Sequence, residues 1–247
     1  ILLSLKYGSE LSIAVTDMIF STLRDSAYNA SCDLAEEKGS FPWFDSSKYF
    51  ISKFVNNLPY NIQNRIKTVG IRNGMLLTCA PVGTGSIIAE TSSGIEPIFR
   101  KSFIRKVKNN DGNSYKEYKV YHPLIEKLFD ISNIPDYVVD SSEIIPEDRV
   151  MVQAIIQKYI DNSISSTVNL PKEASEEDVS KIYFNAWQLG CKGVTVYREG
   201  TREGVLISIS KEIKKEEPKR FVARRPIKLK GETYKLKIDI TGEKLYN

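Results

Sequence analysis

Thr167-Val168-Asn169-Leu170-Pro171, Ser175-Glu176-Glu177-Asp178 and Gly193-Val194-Thr195-Val196-Tyr197-Arg198 lie within 32 residues, and their reading decides the fold class. The first is a short run of strand character that Pro171 ends, because proline has no N–H to give to a ladder. In the second, Ser175 can cap a helix and Asp178 stands where a capping box places its acidic partner. Val179, Ile182, Tyr183, Ala186 and Leu189 then recur at helical spacing up to Gly190, which suits a helix end. The third run is rich in β-branched residues and reads as another strand. Strand, helix and strand in so short a span form a crossover unit, with parallel strands and helices covering the sheet. The chain is therefore expected to be α/β.

Further upstream, Pro146 suits the first position of a helix, which Val150, Ala154, Ile155 and Tyr159 carry to about Ser165. The longest helix is expected from about Ser9 to Lys38, with Leu11, Val15, Met18, Ile19, Leu23, Ala30 and Leu34 at near-helical spacing. Ser9 can cap its start and Gly39 its end. Arg72-Asn73-Gly74 reads as a turn, with Arg72 facing solvent, that leads into a buried strand over Met75–Ala80. That strand empties into Pro81-Val82-Gly83-Thr84-Gly85-Ser86, followed by a short helix over Ile87 to Gly94. Glycines let successive backbone N–H groups converge, Thr84 and Ser86 add hydroxyls, and a helix start adds partial positive charge, so the loop can cradle a phosphate. A plain strand-to-helix turn fits the same residues. No lysine follows the glycines as in a Walker loop, and the third glycine of a dinucleotide fingerprint is missing.

Composition narrows the function classes. The chain has 247 residues, 41% hydrophobic, 27% charged and 10% aromatic, as a folded protein does. No stretch approaches the roughly 18 apolar residues of a membrane helix, so no membrane partner is expected. The single histidine, His122, excludes a histidine triad or a multi-histidine metal site within this chain, and no metal site is assigned. Cys32, Cys79 and Cys191 lie too far apart for zinc-ligand spacing, which points to a reducing cytoplasm. Cys79 reads as an inert core thiol, and Cys191 as either a helix-end packing residue or a reactive thiol. The net charge of +4 is uneven: Lys211 to Lys237 holds 11 basic and 4 acidic residues. This run reads as a solvated linker, and nucleic acid is not an expected partner. Beyond it, Arg225 to Ile238 alternates with period two, as a solvated strand pair would.

Several segments together resemble one family, the C-terminal part of the catalytic chain of adenosylcobalamin-dependent (class II) ribonucleoside-diphosphate reductases. Ala80-Pro81-Val82-Gly83-Thr84-Gly85-Ser86 with Ser92-Ser93-Gly94-Ile95-Glu96-Pro97 looks like that family's substrate-diphosphate loop and the segment after it. Gln157 to Pro171, Gly190 to Arg198, and Ala35 to Pro42 look like three further signatures in the family's order, and Arg225-Pro226 through Tyr234 like the start of a small C-terminal domain. Two positions depart from the pattern. Val82 stands where Thr is common, and Ser166 where Lys is frequent.

The resemblance implies the C-terminal portion of a ten-stranded α/β barrel over 1–210, followed over 211–247 by a basic linker and the start of a small β-rich domain. It implies adenosylcobalamin as cofactor, a ribonucleoside diphosphate as substrate and a thioredoxin-type reductant. Ala80, Pro81, Val82, Gly83, Thr84, Gly85 and Ser86 are the substrate-binding residues it carries over. The radical cysteine, with its Asn and Glu, is expected upstream, on the same or a separate chain, so no catalytic residue falls on this sequence. The chain is expected to begin inside a longer protein and to be inactive alone. Two other readings stay open: the large subunit of a class I reductase, and a non-catalytic half protein that works only with an upstream partner.

Overall fold

The computed structural model describes residues 1–108, 115–201, 235–237 and 244–246. The chain divides into two units, Ile1–Ile209 and Ser210–Asn247. In the first, α1 (Glu10–Lys38) is followed by three short helices, α2 (Ser46–Tyr49), α3 (Lys53–Asn56) and α4 (Tyr60–Val69), and then by α5 (Gly83–Ile88). A hairpin of β1 (Ser102–Lys108) and β2 (Tyr115–Tyr121) leads to α6 (Pro123–Leu128) and α7 (Pro146–Gln157). The unit ends with β3 (Thr167–Leu170), α8 (Glu176–Gln188) and β4 (Thr195–Arg198). In the second unit β5 (Lys235–Lys237) pairs antiparallel with β6 (Lys244–Tyr246). The basic run and most of the alternating stretch expected over Arg225 to Ile238 lie outside the described residues.

The crossover unit forms as its residues dictate. β3 and β4 pair in parallel with Thr167 opposite Thr195 and Leu170 opposite Arg198. The Ser175 hydroxyl accepts from the Asp178 N–H while the Asp178 carboxylate accepts from the Ser175 N–H, closing the capping box. Val150 of α7, Val168, Leu170, Ala174, and Ile182 and Ala186 of α8 form one core cluster, with Cys191, Val194 and Val196 packed on it.

Helix α7 is the hub, and it buries its polar residues as well as its apolar ones. Arg149, Gln153 and Gln157 are buried beside Val150, Val152, Ala154 and Ile156. Such groups stay folded inside only when their donors find acceptors. Gln153 donates to the Gly193 carbonyl, and Gln157 donates to the carbonyls of Ile160 and Asn162 at 2.9 Å each. The last two bonds also explain where the helix ends. The spacing predicted α7 as far as about Ser165, but it stops at Gln157, because the amide of that residue holds the chain in a turn over 158–162.

Helix α1 has the expected caps, the Ser9 hydroxyl accepting from the Ser12 N–H and the Gly39 N–H donating to the Ala35 carbonyl. Its buried residues differ from those that revealed it. Tyr28, Ser31, Cys32 and Ala35 are inside, where Tyr28 and Cys32 join Val55, Leu58, Ile62, Ile66 and Ile71 in a second core cluster. Leu11, Met18, Ile19, Leu23 and Leu34 are exposed, as no other element among the described residues covers them. The 72–73 turn docks on the same helix through Ser31, whose hydroxyl donates to Asn73 Oδ1 at 3.0 Å and accepts from the Asn73 N–H at 3.1 Å. Arg72 does not face solvent freely. Its guanidinium donates to the carbonyls of Gly39 and Ser40, the end of α1, where it offsets the negative end of the helix dipole.

Candidate functional site

The glycine-rich stretch sits at the head of a closed loop. The Val82 N–H donates to the Ser93 hydroxyl at 2.9 Å, and Gly94, at φ 54°, lies so close to Ala80 that a Cβ there would stand 3.5 Å from the Ala80 carbonyl oxygen. Residues 80 and 94 thus meet, and the intervening segment projects as one unit. Helix α5 begins at Gly83 and so contains the glycines that were expected to precede it. It stops where Glu90 adopts a left-handed φ of 56° and the Thr91 N–H returns to the Ser86 carbonyl at 2.9 Å.

The seven predicted residues are not equivalent. Ala80, Pro81, Val82, Gly83, Thr84 and Gly85 are exposed, whereas Ser86 is buried. The Ser86 hydroxyl donates back to the Gly83 carbonyl at 2.7 Å and its N–H to the Val82 carbonyl at 3.0 Å, so it braces the turn from inside. With the Val82 N–H bonded to Ser93, the N–H groups of Gly83, Thr84 and Gly85 are those a helix start leaves without an intrahelical acceptor. The Thr84 side chain stands beside them. Gly85 is needed for space, since a Cβ there would lie 2.8 Å from Val82 Cγ1; at Gly83 nothing lies within 4 Å.

The limbs of this loop are anchored by polar residues that sequence reading passed over. The upstream limb, 75–80, was read as a buried strand, but it makes a single parallel bridge, Cys79 with Ile164, and Met75, Thr78 and Ala80 are exposed. Its backbone is held partly by the 162–165 segment, the Asn162 N–H donating to the Leu77 carbonyl at 3.2 Å and the Ser165 N–H to the Cys79 carbonyl at 2.9 Å, and partly by side chains. Asp161 accepts from the N–H groups of Leu76 at 2.7 Å and Leu77 at 2.9 Å, and Asn162 donates from Nδ2 to the Leu77 carbonyl at 3.0 Å. Tyr28 donates to the same Asp161 carboxylate at 3.0 Å. Burial, and next Tyr49 and Asp161 beside it, push the Tyr28 phenol far above its ordinary range, so it stays a neutral donor.

The downstream limb is fixed by Tyr7, Glu96 and Arg149. Tyr7 donates to the Ile95 carbonyl at 2.9 Å, and the Glu96 carboxylate accepts from the Thr167 N–H at 2.9 Å. Arg149, buried at 2% side-chain exposure, donates to the Tyr7 hydroxyl at 2.8 Å and the Thr167 carbonyl at 2.7 Å, and lies 4.0 Å from Glu96. An open, mostly apolar cavity of about 420 Å³ adjoins this limb, lined in part by Tyr7, Ile19, Thr91, Glu96, Ile98 and Val152. The sequence signals for these anchors were a basic residue between the apolar positions of α7, and the place of Glu96, Asp161 and Asn162 in the stretches that resemble the family.

The remaining candidates are quiet. Burial raises the thiols of Cys32, Cys79 and Cys191 above their ordinary value, which disfavours the thiolate. His122 caps α6, its Nδ1 accepting from the Leu124 N–H at 3.3 Å, and burial holds its pKa below the ordinary value. Among the described residues no group of three His, Cys, Asp or Glu side chains is placed to hold a metal ion, and no helix is long and apolar enough to cross a membrane.

A parallel crossover unit packed on a central helix, with a glycine-opened loop rooted beside it, is an α/β arrangement. Comparison with known proteins identifies which: the family described as ribonucleotide reductase, barrel domain, matches residues 1–197, and the chain belongs to that family. It is 31% identical over 240 residues to the vitamin B12-dependent ribonucleoside-diphosphate reductase of Thermoplasma acidophilum, covering 89% of this chain and 29% of that protein. The Mycobacterium tuberculosis protein of the same name is 30% identical over 230 residues, covering 83% of this chain and 30% of that protein. The ribonucleoside-diphosphate reductase subunit alpha of Treponema pallidum is 26% identical over 205 residues, 80% of this chain and 23% of that protein. The chain therefore spans under a third of the length of these relatives.

Proposed function

We propose that this chain is part of a reductase that converts ribonucleoside diphosphates to 2′-deoxyribonucleoside diphosphates, and that its loop over Ala80–Ser86 grips the substrate diphosphate. One observation carries the loop assignment: the N–H groups of Gly83, Thr84 and Gly85 open a helix at the exposed tip of a closed loop, in a chain of the reductase barrel family. Converging N–H groups and a helix start suit an anion of two linked phosphates. Thr84 adds its hydroxyl, and Ser86 keeps the turn in shape. The Val82 side chain adds no donor, which leaves the work to its neighbours.

The finer reading continues from the family. Residues 1–210 form the C-terminal part of a ten-stranded barrel and 211–247 a linker with the start of a small β-rich domain. Adenosylcobalamin is the proposed cofactor of the complete enzyme, as the names of the B12-dependent relatives support, and when bound it supplies the radical that starts the reaction. No described residue is assigned to holding it; the lone imidazole, His122, has its Nδ1 in the α6 cap. The radical cysteine with its Asn and Glu, and the electrons from a thioredoxin-type reductant, belong on this reading to the remainder of the reductase, the partner of this chain. Its three free thiols support a reducing, cytoplasmic setting. The likeness to the Treponema pallidum subunit alpha favours one alternative, a class I large subunit; a cobalamin requirement separates the two.

The test is ribonucleoside diphosphate reduction with adenosylcobalamin and dithiothreitol, by this chain alone and together with the remainder of the reductase. Turnover only in the mixture is expected, and turnover by the chain alone would place the radical on Cys32, Cys79 or Cys191. In the complete enzyme, Thr84→Ala combined with Ser86→Ala should weaken nucleoside diphosphate binding about tenfold, the order of one or two lost charge-assisted hydrogen bonds. Unchanged affinity would refute the loop assignment.

A further inference from the structure

We propose that Asp161, with Asn162, is a positioning residue for the diphosphate loop, setting where that loop stands without touching the substrate. The inference rests on the loop assignment above. Asp161 lies 85 residues downstream of the segment it holds, in the turn that ends α7. Its two carboxylate oxygens accept four hydrogen bonds: from Tyr28 Oη at 3.0 Å, the Leu76 N–H at 2.7 Å, the Leu77 N–H at 2.9 Å and Asn162 Nδ2 at 3.1 Å. A carboxylate has about four lone-pair sites, so this one is fully occupied by its neighbours. The Leu77 carbonyl is taken by the Asn162 N–H at 3.2 Å and by Asn162 Nδ2 at 3.0 Å. Both polar groups of Leu77 are thus fixed by residues 161 and 162.

What these bonds replace gives them their weight. Beyond Leu77 the limb keeps one isolated bridge at Cys79, whose carbonyl accepts from the Ser165 N–H at 2.9 Å, and becomes exposed at Ala80. Ala80 lies three residues beyond Leu77, a reach of at most about 10 Å, so where Leu77 is held bears on where the loop tip stands. The turn itself is held from behind, where the Lys192 ammonium donates to the Asp161 carbonyl while standing 5.8 Å over the Phe54 ring. Asp161 therefore links the root of the loop to α1, through Tyr28, and to the α8–β4 connection, through Lys192.

The test compares two affinities in the complete reductase, for ADP and for adenosine, by equilibrium dialysis. A residue that only stabilises the fold moves neither in the folded enzyme, whereas one that aims a diphosphate loop moves the first alone. Asp161→Asn turns one acceptor into a donor facing a backbone N–H. It should weaken ADP about tenfold, leave adenosine within twofold, and raise KM for the diphosphate more than it lowers kcat. Asn162→Ala, which removes only the Nδ2 bonds, should weaken ADP about threefold and decides the matter if the Asp161 variant does not fold. If Thr84→Ala with Ser86→Ala weakens ADP but the 161 and 162 variants leave the ADP-to-adenosine ratio unchanged, the positioning role is wrong and the loop assignment stands. If the Thr84 and Ser86 variant leaves ADP affinity intact, the loop assignment fails and this inference fails with it.

Discussion

Two regions of the first unit rest against the same central helices and are held by opposite means. The corner built from the end of α1 and from α4 is packed from Tyr28, Cys32, Val55, Leu58, Ile62, Ile66 and Ile71, with Phe41, Phe44, Phe50 and Phe54 around them. The loop over 75–97 places few side chains in a core and is tied at its two roots by Asp161 with Asn162 and by Glu96 with Arg149 and Tyr7. Apolar packing is non-directional and tolerates small shifts. Hydrogen bonds to charged groups fix direction as well as distance, which is what a loop that meets a ligand with its backbone requires.

The sharpest way to break that contrast is to hollow out the packed corner. Ile66, fully buried, should cost about 3–4 kcal/mol in urea denaturation when changed to Ala. Nucleoside diphosphate affinity of the folded enzyme should not move. Next comes Arg149→Met, which leaves the Thr167 carbonyl without its donor and Glu96 without its cation. A loss of about 2–3 kcal/mol is expected, together with weaker diphosphate binding, because a loop root is involved. A fall in stability with binding intact would mean that the two loop roots do not act alike.

His122 provides a smaller, pH-dependent test. Its Nδ1 caps α6 only when unprotonated, and burial holds its folded pKa below the ordinary 6.5. The unfolded chain then binds the proton more readily, so this contribution is complete above about pH 6.5 and is lost as pH falls toward the folded value. Melting temperatures at pH 7.5 and 5.5 should diverge more for the native chain than for His122→Asn, which caps without titrating, and the cap itself is worth about 1 kcal/mol or less. Smallest in stability is Thr84→Ala, within about 0.5 kcal/mol, since the side chain is exposed. A large destabilisation would mean that the residue holds the loop together and would remove it from the binding surface.

Much of the fold was legible, and for a local reason. The caps at Ser9, Gly39 and Ser175 and the start of α7 at Pro146 depend on residues within one turn, and each formed as read. Pairing of β3 with β4 followed from the short crossover that joins them. Where reading failed, a distant partner had intervened. The 75–80 limb has the apolar character of a strand, but its pairing with the 162–165 segment stops at one bridge, because the Asp161 carboxylate took the N–H groups of Leu76 and Leu77. Helix α7 ended eight residues early because Gln157 closed the turn beyond it. Arg72 looked like a solvent-facing turn residue until the end of α1, over thirty residues away, gave it two carbonyls. At the candidate site, the motif located the loop and its glycines, but nothing in it distinguished Thr84, which is exposed, from Ser86, which is buried.

The sequence by itself determined the crossover unit, the caps at Ser9, Gly39 and Ser175, the start of α7, the α/β class and membership of a reductase barrel family, because spacing, caps and motif order act over a few residues at a time. Tertiary structure alone decided which face of α1 is buried, what holds the loop and which of its groups point outward. Those outcomes depend on carboxylates, amides and a guanidinium that meet their partners across as many as 142 residues of chain, as Arg149 meets Tyr7, and no local pattern encodes such a meeting.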